Sequence, residues 1–130
     1  MTSLSARQSL QLDAVASGAV GVLLLALSGQ TEEHLGITTG LSVGIGAFLL
    51  FWAAFVGWAS TKDSLTLTTE IGYANLGWVV ASVIFLVAAD LTGLGVAVVI
   101  AQAVAVAVFA ELQIMAVRKA CRVPARSVAA

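Results

Sequence analysis

Apolar residues fall into four long runs, separated by short polar stretches. The runs extend from about Leu10 to Ser28, Thr38 to Ala59, Ile71 to Ala89 and Gly93 to Gln113. A spanning helix needs about 20 mostly apolar residues, at 1.5 Å per residue across a hydrocarbon core about 30 Å thick. Each run meets that requirement. Backbone groups in lipid must be satisfied internally, which leaves helices or a closed barrel. Barrel strands of about 10 residues would alternate apolar and polar positions. Uninterrupted stretches such as Gly21–Leu27 and Val79–Ala89 do not alternate. The pattern therefore predicts an all-α polytopic membrane protein: a single domain over 1–130 with helices at about 10–28, 38–59, 71–89 and 93–117 and a cytoplasmic tail at 118–130. Asp90-Leu91-Thr92 is nearly a minimal turn, so the last two helices should form a tight hairpin. Ser60–Glu70 is the longest linker. Arg7, the first apolar run and Ala26-x-Ser28 also outline a cleavable signal peptide; the reading adopted is a retained first span.

Composition supports this reading. The chain has 130 residues, 60% of them hydrophobic and 10% charged, with a mean hydropathy of +1.04. A soluble domain carries about 25% charged residues, so this surface calls for lipid. Orientation follows from the basic residues. Arg7, Lys62, Arg118, Lys119, Arg122 and Arg126 all fall on one side of a four-span arrangement, whereas Glu32, Glu33, His34 and Asp90 fall on the other. Both termini are expected in the cytoplasm, and the helices should form an antiparallel bundle in a bacterial inner membrane. No basic stripe suggests a nucleic-acid partner. Cys121 is the only cysteine, which rules out an intrachain disulfide.

Helices in lipid associate through small residues and a few interhelical hydrogen bonds. The candidate packing positions are Gly18 and Gly21 in the first span, Gly40 and Gly44 in the second, and Gln102 near the midplane of the fourth. Trp52, Trp58, Tyr73 and Trp78 suit an interfacial aromatic belt.

Ionisable and polar residues inside a membrane are pointers to function. Asp13, Glu70, Asn75, Glu111 and Gln113 all belong near the cytoplasmic end of the spans, where Arg7, Lys62, Arg118 and Lys119 lie at similar depth. Three readings stay open for this cluster: a neutralised network fixing helix ends, a site for a lipid head group, quinone or small solute, and a docking surface. Glu32-Glu33-His34 groups three potential metal ligands, but adjacent side chains on a loop rarely converge on one ion; no metal or cofactor is assigned. His34 is the only histidine, so neither a Ser/His/Asp set nor bis-histidine haem ligation within the chain is expected, and no glycine pattern cradles phosphates. The expectation is a protein that is not an enzyme.

Small four-helix multidrug exporters are similar in length, yet they depend on a membrane-embedded glutamate in the first helix, and Ala14–Leu27 contains no acid. Leu12-Asp13-Ala14, Asn75-x-x-Trp78-Val79 and Ala101-Gln102-Ala103 resemble segments of an uncharacterised group of small bacterial (actinobacterial-type) four-helix integral membrane proteins, over about residues 10–115. That resemblance implies the four-helix fold and the inner membrane, and no activity. The leading functional expectation is a non-catalytic accessory or scaffolding subunit of a membrane complex, partnered by another membrane protein. The alternative is a small homo-oligomeric transporter, channel or lipid- or small-molecule-binding protein that uses the cytoplasmic-side cluster.

Overall fold

The computed structural model describes residues 5–129, with side chains described through residue 121. Among the described residues the chain is all-helical: α1 Ala6–Ala26, α2 Ser28–Leu35, α3 Thr39–Ser60, α4 Leu65–Ala88 and α5 Gly93–Ala129. Four of these, α1, α3, α4 and α5 as far as Cys121, are long and apolar enough to cross a membrane.

Polar caps, not apolar runs, decide where the helices begin. Ser5 and Gln8 form a reciprocal capping box: the Ser5 hydroxyl accepts from the Gln8 N–H at 3.2 Å, and the Gln8 side chain accepts from the Ser5 N–H at 3.1 Å. α1 therefore opens at Ala6 and not near Leu10. Ser64 accepts from the Leu67 N–H at 3.1 Å, and α4 opens at Leu65 and not near Ile71. The stretch expected as a loop after the first span contains α2, which ends at Gly36 in the left-handed region (φ 79°). The Gly36 N–H donates to the Glu32 carbonyl and the Ile37 N–H to the Thr31 carbonyl, satisfying helix-end acceptors as a glycine C-cap does. At the other end of the chain, α5 runs on to Ala129, within the segment expected as a tail, 118–130. Arg118, Lys119 and Ala120 are strong helix formers, and extending an existing helix needs no new nucleus.

α1 packs chiefly along α3, α4 chiefly along α5, and α1 joins the two pairs by contacting α5; α3 and α4 barely meet. The α1–α3 approach is set by two glycines. A Cβ on Gly21 would lie 2.9 Å from the Gly46 carbonyl oxygen, and one on Gly46 would lie 3.0 Å from the Gly21 oxygen. Gly18 is half-buried and faces Ala53 across the same seam. Gly40 and Gly44 are exposed, and a Cβ on either would meet nothing within 4 Å, so these two face away from the rest of the chain. Leu10, Val56, Ala59 and Ile71 form a small buried core. Outside it the surface is strongly apolar: Phe51 is 72% exposed and Val87 84%. An exterior of this kind needs an apolar surrounding, which four spanning helices would provide.

Candidate functional site

Asp13 on α1, Asn75 on α4 and Gln113 on α5 meet inside the molecule, with exposures of 1%, 4% and 0%. The Asn75 amide donates to Asp13 Oδ2 at 2.8 Å and to Gln113 Oε1 at 2.9 Å. The Gln113 amide donates to the same Asp13 oxygen at 2.8 Å, which closes a triangle. One turn along α1, the Ser17 hydroxyl donates to Asp13 Oδ1 at 3.1 Å. Both carboxyl oxygens are thus satisfied by neutral donors, as a buried polar group requires. Basic side chains have no part in these bonds.

The network lies deeper than a span starting at Ile71 would imply. At 1.5 Å per residue, Asn75 is about 15 Å along α4 from Leu65 and Asp13 about 10 Å along α1 from Ala6. Two other candidates stay outside it. Glu70 and Glu111 are exposed, because their positions on α4 and α5 face away from α1. A cytoplasmic-side cluster of all five residues is therefore not what forms; three of them meet and two do not. Lys62, a candidate partner for the cluster, lies instead over the Trp58 ring, 5.1 Å from its centroid.

A second polar set ties α4 to α5. The Trp78 indole N–H donates to Gln102 Oε1 at 2.8 Å, the Gln102 amide donates to the Ser82 hydroxyl at 2.9 Å and to the Val99 carbonyl at 3.0 Å, and Ser82 donates to the Trp78 carbonyl at 2.8 Å. Gln102 thus bonds across helices, and it holds Trp78 in place. Phe48 on α3 stacks on Trp78 (centroids 5.9 Å apart, planes 6° apart) and on Trp52 (6.3 Å, 18°). These rings are among the few bridges between α3 and α4.

Between α3 and α4, which barely meet, lies a cleft of about 90 Å³ lined by Ser17, Phe48, Leu49, Trp52, Ala74, Asn75, Trp78 and Val106. Its walls are aromatic and its floor is the edge of the Asp13 network. Asn75 spends its amide on Asp13 and Gln113, but its carbonyl oxygen accepts no hydrogen bond from the described residues. No buried side-chain nitrogen or oxygen among the described residues lacks a partner, so this oxygen is not fully enclosed, and Asn75 lines the cleft. Ser17, Trp78, Phe48 and Trp52 were not legible as site residues. Only Asp13-x-x-x-Ser17, one helical turn apart, carried a signal.

The Glu32, Glu33 and His34 side chains are exposed on α2. The His34 backbone carbonyl accepts from the Thr92 hydroxyl at 2.7 Å, so this segment fastens the α4–α5 turn. No protein-family model matches the chain, and neither does any curated protein or solved structure.

Proposed function

We propose that the chain is a multi-pass protein of a bacterial inner membrane, an antiparallel four-helix bundle with both termini cytoplasmic, and that it binds a small molecule or lipid without catalysing a reaction. One observation carries the functional reading. An ionisable side chain, Asp13, is held at 1% exposure by neutral partners, and one of those partners, Asn75, offers a free acceptor to an open aromatic cleft. Ionisable groups in spanning helices are costly and mark ligand or ion pathways. The carboxyl group and the two amides shape the floor of the site, and Trp52, Trp78 and Phe48 form its walls.

The reading is tested by extracting the protein from its own membrane in mild detergent and weighing it intact by native mass spectrometry. A stoichiometric small-molecule adduct, lost when the cleft is filled by Ala74→Phe, is the expected result. A bare protein, or an adduct indifferent to Ala74→Phe, would refute it.

A second reading, the accessory subunit, is favoured by a separate observation. Gly40 and Gly44 are exposed, and a Cβ on either would meet nothing within 4 Å, as on a helix face that a second membrane protein packs against. A stoichiometric companion protein in the same mass measurement, lost in Gly44→Leu, would establish it.

The orientation has its own check. Cys121 is exposed near the basic end of α5, and a membrane-impermeant thiol reagent is expected to label it only after cells are opened. Labelling of intact cells would reverse the topology.

A further inference from the structure

Resting on the binding reading above, the geometry points to the class of ligand: the α3–α4 cleft takes the hydroxyl-bearing ring of a neutral phenol-type molecule dissolved in the lipid. Three features of the lining support this assignment.

The first is the balance of donors and acceptors. The donors of Asn75, Ser17 and Trp78 are all committed inside the protein, to Asp13, Gln113 and Gln102. The Asn75 carbonyl oxygen remains as an open acceptor, from a residue only 4% exposed. Trp52, also on the lining, has an indole N–H with no hydrogen-bond partner among the described residues. A hydroxyl both donates and accepts, so it serves Asn75 and is able to take the Trp52 N–H. An ammonium only donates, and an ether or a carboxylate only accepts.

The second feature is charge. Among the described residues no Lys or Arg lines the cleft, so an anion entering it would find no counter-charge there and would sit beside the Asp13 carboxyl. Desolvating an unpaired ion is expensive, and a neutral head avoids that cost.

The third is shape. Phe48, Trp52 and Trp78 line the cleft, with Phe48 and Trp78 nearly parallel, and aromatic guests favour offset or edge contacts with rings of this kind. At about 90 Å³, the cleft is smaller than the roughly 150 Å³ apolar cavity that encloses benzene whole. It admits the hydroxyl edge of a ring and leaves the remainder of the molecule in the apolar surroundings of α3 and α4.

The test uses the full chain in nanodiscs of neutral phospholipid, with Trp58→Phe so that Trp52 and Trp78 alone report through their emission. Nonylphenol is titrated against its methyl ether, which has the same ring and tail but no donor, and against dodecyltrimethylammonium, a cation with no hydroxyl. Nonylphenol should half-saturate at concentrations at least about fivefold below the ether, the value of one net hydrogen bond, and the cation should bind more weakly than nonylphenol. The preference should vanish in Asn75→Leu. Because that variant disturbs the network, Ala74→Phe, which blocks the cleft and leaves every polar partner in place, should abolish the response to both probes. Equal affinity for phenol and ether with both responses lost in Ala74→Phe would overturn the hydroxyl assignment and leave the cleft standing as a binding site. Tighter binding of the cation would overturn the assignment in favour of a cation held by the aromatic faces. An unchanged response in Ala74→Phe, or no response to either probe, would overturn it as well, even where a native adduct upholds the broader binding reading.

Discussion

Replacing Asn75 by Leu is expected to cost roughly 3 kcal/mol of stability, more than removing the acid that it holds. Hydrogen bonds between helices in membranes average about 0.6 kcal/mol and reach about 1.7. The two that Asn75 donates, to Asp13 and to Gln113, therefore account for about 1–3 kcal/mol. The groups left behind keep the cost near the top of that range. Asn75→Leu would leave a fully buried carboxyl with fewer donors and the Gln113 carbonyl oxygen with none, and an orphaned buried polar group costs about 1–3 kcal/mol. Asp13→Leu behaves differently. It removes three bonds, from Asn75, Gln113 and Ser17, and leaves the Gln113 amide nitrogen without an acceptor. It also removes the buried carboxyl itself, whose desolvation is costly, so it is expected to cost less than Asn75→Leu. Unfolding in mixed micelles measures both. Asp13→Leu proving the more damaging would mean that the carboxyl, and not the amide between helices, organises the interior.

The second large effect lies at the opposite end of the helices. A Cβ on Gly95 would run into the Leu35 carbonyl oxygen. No rotamer relieves that contact, because the obstacle is backbone. The same oxygen accepts the Thr92 N–H at 3.1 Å, and at Gly36, where φ is +79°, a Cβ would lie 2.7 Å from the Asp90 oxygen. The end of α2 is thus seated directly on the α4–α5 turn. Gly95→Ala is expected to unseat it, at about 2–3 kcal/mol, the upper part of the range for overpacking. Hydrogen exchange at the Thr92 amide should accelerate sharply, while the Asn75 side chain stays protected. Gly93→Ala, where a Cβ meets nothing within 4 Å, is the control and should change little. Undiminished protection of Thr92 in Gly95→Ala would show that α2 is not seated there.

Both effects bear on what the sequence alone could reveal. Four apolar runs were legible because lipid imposes a length and a composition on each span. Their starts were less so. Ser5 and Ser64 are ordinary polar residues until their hydroxyls are seen to accept from Gln8 and Leu67, and those caps lengthen α1 and α4 at their beginnings. The added residues before Ile71 are what move Asn75 from near a helix end to well inside α4.

Asp13, Asn75 and Gln113 could be singled out as polar residues in apolar runs. Their convergence could not be read, since Asn75 is 62 residues from Asp13 and 38 from Gln113, and the rotation of each helix about its axis is set by packing. The same rotation turns Glu70 and Glu111 outward. It also makes Gly46 and Gly21 the contact between α1 and α3, whereas Gly40 and Gly44, the more regular small-residue pattern, face away. The cleft was invisible for a related reason: it lies between α3 and α4, which pack on α1 and α5 and barely on each other, and neither segment carries a mark of that pairing.

The most direct measurement exploits the fact that Asn75 is the only asparagine in the chain. Protein labelled with ¹⁵N at asparagine side chains and placed in nanodiscs gives one NH₂ group to observe by NMR. If the amide bridges Asp13 and Gln113, both protons should appear as separate resonances that exchange slowly with water, and both should shift in Gln113→Leu. A single rapidly exchanging amide, unaffected by Gln113→Leu, would mean that the three helices are not joined at this point and would contradict the site on which the functional account rests.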